Sequence, residues 1–190
     1  MRKIVYSVAM SVDGYIAAAD GGYDWIAPDP AFDFGALYAR FDTLLMGRKT
    51  FELMEKQGMS PASMGMKAVV VSTTLTKTKL KGVTFVSSGV NEAVAALKAE
   101  AGKDIWLFGG AVLFRSLLDA GLVDSIELST VPVLLGGGMK LVPDGRRWPL
   151  KLVEWGSTPG GRVTLKYAVM REGEAVAETK RAKRAKTNME

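Results

Sequence analysis

Three short segments of this chain carry residue types that suit the binding of phosphate groups. The segment Gly47-Arg48-Lys49-Thr50 joins a glycine and two cations to a hydroxyl, Ser72-Thr73-Thr74 offers three hydroxyls, and Gly109-Gly110-Ala111 lets a ligand approach the backbone. Arginine holds a phosphate with a planar fork of N–H donors, and the start of a helix adds unpaired backbone N–H groups. Each segment alone could be a helix start, a cap or a turn, but together they predict a site for a phosphorylated ligand.

Other side-chain chemistry is limited, because the chain contains no histidine and no cysteine. This removes the commonest general acid–base, the commonest metal ligands, disulfides and the zinc-deaminase signature, so no metal site is expected. Any catalysis must therefore use carboxylates, Lys, Tyr, hydroxyls, bound water or a cofactor. Among the carboxylates, Asp13 stands in a turn with Gly14, and Asp33 precedes a helical pattern that it could cap. Neither G-x-G-x-x-G nor G-x-x-x-x-G-K-[ST] occurs.

Alternating strand and helix patterns place the three segments at one edge of a sheet. Asn91 and Gly102 are expected to cap and to stop one of the helices. The alternation predicts an α/β domain with a central, mostly parallel sheet and an antiparallel C-terminal edge hairpin. In such sheets ligands bind beyond the carboxyl ends of the strands, where all three segments fall. Strands are predicted at 3–10, 43–47, 67–72, 83–87, 104–110 and from 125 into a glycine loop, helices at 33–41, 48–56, 91–102 and 111–121, and the hairpin at 151–157 and 162–170.

Composition favours one domain in this chain of 190 residues, with a basic tail at its end. The chain is 48% hydrophobic, with no stretch long enough to span a membrane and no signal-peptide pattern, so a soluble cytoplasmic protein is expected. Net charge is +5, and residues 180–186, KRAKRAK, hold five cations and no acid. A tail that binds nucleic acid is one interpretation, but it lacks interleaved aromatic residues for base stacking. We therefore expect a solvated helical or disordered tail over residues 171–190.

Several motifs, in this order, resemble those of a known superfamily. The segments LLMGRKTFE, VVVSTTL and IWLFGGAVLFRSLL are similar to the cofactor-binding segments of dihydrofolate reductase-like proteins. SVAMSVDGYIA and VPVLLGGG look closer to the C-terminal reductase domain of the riboflavin-biosynthesis deaminase-reductases, with no deaminase domain here. The similarity covers roughly residues 3–170. It implies a three-layer αβα fold over residues 1–170, and riboflavin-type relatives imply a homodimer.

The resemblance implies NADP(H) as the cofactor and a role for each matching segment. Arg48 and Ser72, with Thr73 and Thr74 beside them, would hold the 2′-phosphate, which favours NADPH over NADH. Thr50 would meet the pyrophosphate. The other residues that the resemblance assigns to the cofactor are Ala9 and Ile16 beside the nicotinamide, Gly47 and Lys49 at the helix start, and Phe108, Gly109, Gly110, Ala111, Val112 and Leu113 along the pyrophosphate and nicotinamide.

The residues expected near the substrate match neither the riboflavin-type reductases nor the folate reductases. Phe108 stands where riboflavin-type reductases usually have an acid, and Phe114 stands where folate reductases often have a tyrosine. Asp13 matches the acidic position of the riboflavin-type segment, whereas Asp33 is the folate-type candidate. The resemblance makes both of them candidates for substrate contact or proton delivery, with water as the alternative proton source. Trp25 and Phe32 are candidates for the wall of the substrate pocket.

The leading hypothesis is an NADPH-dependent reductase that transfers a hydride to a small pyrimidine- or pterin-like heterocycle, resembling 5-amino-6-(5-phosphoribosylamino)uracil reductase. It would act on CH–NH, C=N or C=O bonds. The alternatives are an NADP-binding module without turnover and nucleic-acid binding by the tail.

Overall fold

The computed structural model describes residues 1–171, which form a mixed α/β architecture. Apolar alternation builds the strands, and helices follow several of them directly. The strands are β1 (Ile4–Ser11), β2 (Tyr15–Ala17), β3 (Phe41–Gly47), β4 (Lys67–Val71), β5 (Val83–Val86), β6 (Asp104–Gly109), β7 (Ser125–Val131), β8 (Met139–Lys140), β9 (Leu150–Ser157) and β10 (Val163–Val169). The helices are α1 (Phe34–Ala39), α2 (Arg48–Lys56), α3 (Val90–Ala99) and α4 (Ala111–Asp119), with a 3₁₀ turn at Pro61–Met64.

Eight strands form one sheet in the order β5-β4-β3-β6-β1-β7-β10-β9. All pairs from β5 to β7 are parallel, whereas β10 pairs antiparallel with both β7 and β9. The predicted mostly parallel sheet with an antiparallel C-terminal edge hairpin is therefore confirmed. The order also brings β4, β3 and β6 together, so the three predicted phosphate-binding segments end neighbouring strands.

Helices cover both faces of the sheet and bury two apolar cores. On one face, Leu113, Phe114 and Leu117 of α4 and Val94 of α3 pack against β1, β6 and β7. On the other face, Phe51 of α2 and other side chains of α1 and α2 pack on β3 and β4. Each core side chain contributes on the order of 1.5–3 kcal/mol by leaving water. This packing fixes the positions of the strand ends and of the helix starts beside them, where the ligand-binding site is expected.

Two local features differ from the sequence-based expectations. The helix predicted to be capped by Asn91 begins one residue earlier, because Gly89, at φ 58°, occupies the N-cap position of α3. That helix ends at Ala99 with Glu100 as its C-cap, before the expected stop at Gly102. The chain also forms a two-stranded antiparallel ribbon of β2 and β8, which no sequence pattern indicated.

Two expectations concern the chain as a whole. No helix among residues 1–171 is long and apolar enough to cross a membrane. The predicted basic tail, residues 171–190, lies outside the described residues except for Arg171.

Candidate active site

An open cleft of about 690 Å³ lies at the carboxyl ends of β4, β3 and β6. Helices α2 and α4 begin there, and each has a glycine N-cap, Gly47 or Gly110, that makes no side-chain capping hydrogen bond. Backbone N–H groups at these two helix starts therefore have no side-chain cap, and both helix dipoles present positive charge. The cleft is lined by Gly47, Arg48, Lys49, Thr50, Val71, Val90, Gly110, Ala111, Val112, Leu113, Ser116, Met139, Lys140 and Pro143.

The charge of the cleft is positive. Among the described residues that line it are three cations, Arg48, Lys49 and Lys140, and no acid. Arg48 has 43% of its side chain exposed and forms an ion pair with Glu52 one turn along α2, at 3.1 Å. A surface pair of this kind is weak, so the guanidinium can exchange its partner for a bound anion.

Gly110 forms part of the floor of the cleft, and Gly109 precedes it beside Thr50. A Cβ on Gly109 would lie 3.3 Å from the Thr50 Oγ1, and one on Gly110 would lie 3.4 Å from it. Gly109 has φ +140°, a conformation that favours glycine, and the peptide that joins the two glycines is cis. The missing side chains leave the backbone open to a ligand.

Eight of the fifteen predicted cofactor residues line this cleft, and the other seven are not part of its lining. Ser72 is buried, and its Oγ accepts hydrogen bonds from the backbone N–H groups of Thr74 at 3.2 Å and Leu75 at 2.7 Å. Its hydroxyl proton is still available to an acceptor. Thr73 and Thr74 are exposed, and neither lines the cleft.

Ala9, Ile16 and Phe108 are also placed outside the lining of the cleft. Ala9 lies near the carboxyl end of β1, paired with Ser129 of β7, and Ile16 lies on β2. Phe108 makes an edge contact with Trp106 at 5.0 Å and packs in the core beneath α1 and α2. Packing in the core is therefore sufficient to explain a phenylalanine at position 108.

Asp13 connects the turn after β1 to the glycine-rich loop before β8. Its carboxylate accepts hydrogen bonds from the Ser11 hydroxyl at 2.6 Å and from the N–H groups of Leu135 at 3.1 Å and Gly136 at 2.7 Å. The hydrogen bond from Ser11 lowers the pKa of Asp13, and the two backbone hydrogen bonds add to this effect. The carboxylate is therefore ionised at neutral pH and suits the role of an acceptor.

Asp33 caps helix α1, and its carboxylate accepts a hydrogen bond from the Ala36 N–H at 2.8 Å. With Phe32 it also lines a smaller cavity of about 250 Å³, where Arg40 is bound by both oxygens of Glu127.

The structure does not bring the two predicted substrate-pocket aromatics into one pocket. Trp25 lines a separate cavity of about 450 Å³, with the buried Arg162 at its wall. Phe32 belongs to the smaller cavity beside α1, under the Arg162 guanidinium at 5.5 Å.

Six residues that line the cleft were not predicted from the sequence, namely Val71, Val90, Ser116, Met139, Lys140 and Pro143. For Lys140 a weak signal existed, because a cation stands two residues after a run of three glycines, whereas Arg48 directly follows Gly47. The two valines carry no such signal, since an apolar residue at a strand or helix end indicates only burial.

Comparison with known proteins agrees with this architecture. The RibD C-terminal domain family matches residues 2–164. The uncharacterized protein YyaP of Bacillus subtilis (strain 168) is 34% identical over 179 residues, which cover 87% of this chain and 94% of that protein. The riboflavin biosynthesis protein RibD of Corynebacterium ammoniagenes is 25% identical over 153 residues, which cover 73% of this chain but 45% of that protein.

Solved structures show the same fold. A protein from Shewanella sp. PV-4 assigned to riboflavin biosynthesis superposes with a TM-score of 0.76 at 28% identity, covering 90% of this chain and all of that one. The dihydrofolate reductase of Enterococcus faecalis, crystallised with NADP(H), superposes with a TM-score of 0.65 at 19% identity, covering 89% of this chain and 97% of that one. The predicted dihydrofolate reductase-like fold is confirmed. This chain belongs to the RibD C-terminal domain family.

Proposed function

We propose that this protein is an NADPH-dependent reductase that transfers a hydride to a small pyrimidine- or pterin-like heterocycle. The observation that carries the proposal is the cleft at the ends of β4, β3 and β6, which joins two uncapped helix starts to three cations without an acid among its described lining. Its volume of about 690 Å³ lies within the usual range for cofactor sites. A ligand with several negative charges is favoured by such a cleft.

The residues of the cleft suit the parts of a dinucleotide phosphate. Arg48 would bind the 2′-phosphate, with Ser72 donating its free hydroxyl proton and Thr73 and Thr74 close by. Thr50 and the N–H groups at the starts of α2 and α4 would bind the pyrophosphate. Gly109 and Gly110 leave room for it, and the α4 residues that follow, with Ala9 and Ile16, would border the nicotinamide.

Hydride chemistry would be supplied by the bound nicotinamide, so the protein has to orient the reactants and exclude water. Asp13, ionised at neutral pH, would accept a hydrogen bond from an N–H of the substrate. The proton that completes reduction would then come from water, because a carboxyl with a lowered pKa is a poor proton donor. Asp33 remains the alternative acid, although capping already accounts for its position.

The substrate is proposed at the level of its class. The Thermotoga maritima neighbour, of which this chain covers 57%, is a diaminohydroxyphosphoribosylaminopyrimidine deaminase/5-amino-6-(5-phosphoribosylamino)uracil reductase, and it shares the fold at a TM-score of 0.68 and 14% identity. A reaction that reduces a C=N or C=O bond to CH–NH or CH–OH is the corresponding proposal here. Trp25 and Phe32 line separate cavities, so they provide two distinct candidate positions for a flat ring.

The test is to measure binding and turnover together. Calorimetry with NADPH and NADH determines which cofactor binds, and NADPH oxidation is then followed with a panel of pterins, pyrimidines and quinones. Tight NADPH binding with oxidation by a pyrimidine or pterin supports the proposal. Tight binding with no oxidation across the panel favours the NADP-binding module, and absence of NADPH binding rejects both.

Three other expectations stay predictions: a cytoplasmic location, tail-mediated nucleic-acid binding as the least favoured function, and a homodimer. For the dimer, the edge strand β9 has Leu150, Leu152, Val153 and Trp155 exposed, with Trp155 72% exposed, and a second copy would bury them. Light scattering of the protein and of Trp155→Glu decides whether the protein is a dimer.

A salt-dependent affinity for DNA that is lost on deleting residues 172–190 would support the tail hypothesis.

A further inference from the structure

We infer that Lys140 binds the pyrophosphate of the cofactor, and that the β2–β8 ribbon holds it at the cleft for that purpose. The inference rests on the proposed function and adds a residue from a part of the chain that no cofactor motif includes. Lys140 lines the same cleft as Arg48 and Thr50, yet it follows them by about ninety residues in the sequence.

The ammonium group of Lys140 is available for an anion. Its side chain is 60% exposed, and the ion pair described for it joins Nζ to Asp144 at 3.3 Å. The Asp144 side chain is itself 94% exposed, so this pair contributes little energy. A phosphate at the cleft can therefore replace Asp144 as the partner of Lys140 at small cost.

The backbone fixes the position of Lys140. Lys140 pairs with Tyr15 in the antiparallel ribbon, and the next residue, Leu141, donates its N–H to the Gly14 carbonyl at 2.9 Å. A side chain on Gly138 would collide with the carbonyl oxygen of Ala17, so a glycine is needed where the two strands approach. Strand pairing and this backbone hydrogen bond therefore hold Lys140 at a fixed position beside the cleft.

A second tie holds the loop that leads into β8. The Asp13 carboxylate accepts hydrogen bonds from the N–H groups of Leu135 and Gly136, which brings the glycine-rich loop to the turn after β1. Asp13, a sequence-based candidate for substrate contact, therefore also stabilises the loop that leads to Lys140. Asp13 acts here as a positioning residue.

The sheet order indicates which phosphate Lys140 meets. The 2′-phosphate is proposed at Arg48 and Ser72, at the ends of β3 and β4. The ribbon extends from β1, which lies on the far side of β6 in the order β4-β3-β6-β1. Lys140 therefore reaches the cleft from the side opposite to β4, away from the proposed 2′-phosphate position. The pyrophosphate, proposed at Thr50 and the start of α4 in the same cleft, is the other anionic group of the cofactor.

The experiment measures dissociation constants of NADPH and NADH for the wild-type protein, Lys140→Ala and Lys140→Arg, at low and moderate salt. We expect Lys140→Ala to weaken both nucleotides by a similar factor of roughly five- to tenfold, which is less than for a buried hydrogen bond to a charged group because the site is exposed. Lys140→Arg should keep affinity within about twofold because it keeps the charge. The dependence of affinity on salt should be smaller in Lys140→Ala than in the wild type.

Two matched controls isolate the effect. Lys81→Ala removes an exposed lysine that does not line the cleft, and it should leave both constants unchanged. Gly138→Ala keeps Lys140 but disturbs its support, so it should weaken both nucleotides while the far-UV circular dichroism stays the same.

The outcomes separate this inference from the proposed function. Wild-type protein that binds NADPH, with Lys140→Ala unchanged or weakened for NADPH alone, overturns the pyrophosphate assignment and leaves the proposed function intact. An equal loss of nucleotide affinity in Lys81→Ala would mean that removal of any positive charge weakens binding, and this result also overturns the pyrophosphate assignment. Wild-type protein that binds neither nucleotide overturns both proposals.

Discussion

Replacing Arg48 by alanine tests the central assignment of the cleft. The guanidinium stands at the first position of α2, beside the Gly47 N-cap, and it is held by Glu52 on the same helix at 3.1 Å. NADPH and NADH differ only in the 2′-phosphate that Arg48 is proposed to bind. The variant should therefore lose affinity for NADPH and keep its affinity for NADH.

The expected size of the loss follows from the exposure and the present partner of Arg48. A hydrogen bond to a charged group contributes about 1.5–3 kcal/mol. Arg48 is 43% exposed, which favours the lower part of that range, and binding costs it the pair with Glu52, about 0.3–0.5 kcal/mol. The net loss should be about 1–2 kcal/mol, which corresponds to a roughly five- to thirtyfold rise in the dissociation constant.

Calorimetry with both nucleotides is the assay, and Glu52→Gln is the matched control. Neutralising Glu52 releases Arg48, so this variant should bind NADPH about twofold more tightly than the wild type does. Equal losses for NADPH and NADH in Arg48→Ala would refute the 2′-phosphate assignment. Weaker NADPH binding by Glu52→Gln would refute the exchange of partners.

Three further substitutions test the floor of the cleft and the two carboxylates. Gly110 has an ordinary extended φ of −95°, and an added Cβ would only touch Thr50, so Gly110→Val should keep the circular dichroism of the wild type but abolish NADPH binding; a folded variant that binds normally would place the cofactor elsewhere. Asp33→Ala removes the cap of α1, so the free energy of unfolding should fall by about 1 kcal/mol with activity kept, and loss of hydride transfer in a stable variant would make Asp33 catalytic. The folded state lowers the pKa of Asp13, so its ionised form stabilises the fold above the ordinary carboxyl pKa, and this contribution is lost as pH falls through the lowered value. Denaturant melts should therefore show a larger loss on acidification for the wild type than for Asp13→Asn, and parallel losses would contradict the hydrogen bonds at Asp13.

The elements that carry strong local signals were predictable. Alternating apolar residues indicated β1, β3 and β4, and glycines at the ends of β3 and β6 indicated the turns into α2 and α4. The capping role of Asp33 followed from its place before a helical pattern, and the structure shows that hydrogen bond. These predictions depend on neighbours in the sequence, which a single chain displays directly.

Features that depend on contacts between residues far apart in the sequence were not predictable. The ribbon joins a strand of three residues to one of two residues, too short for any periodicity, and its partners are more than a hundred residues apart. The same limit applies to Trp25 and Phe32, because the path of the loop between β2 and α1 decides which cavity each ring enters. The helix cap at Gly89 was missed because asparagine is a better local signal than a glycine at positive φ.

The position of β1 inside the sheet has a consequence for how the chain reaches this fold. Strand β1 pairs with β6 and β7, whose residues 104–109 and 125–131 are synthesised about a hundred residues later. Closing such long loops costs entropy before any pairing repays it, so folding should be slow for a domain of this size. On the ribosome, the apolar strand at Ile4–Ser11 has no permanent partner until most of the chain has emerged, and in that interval it is a segment that chaperones would have to shield.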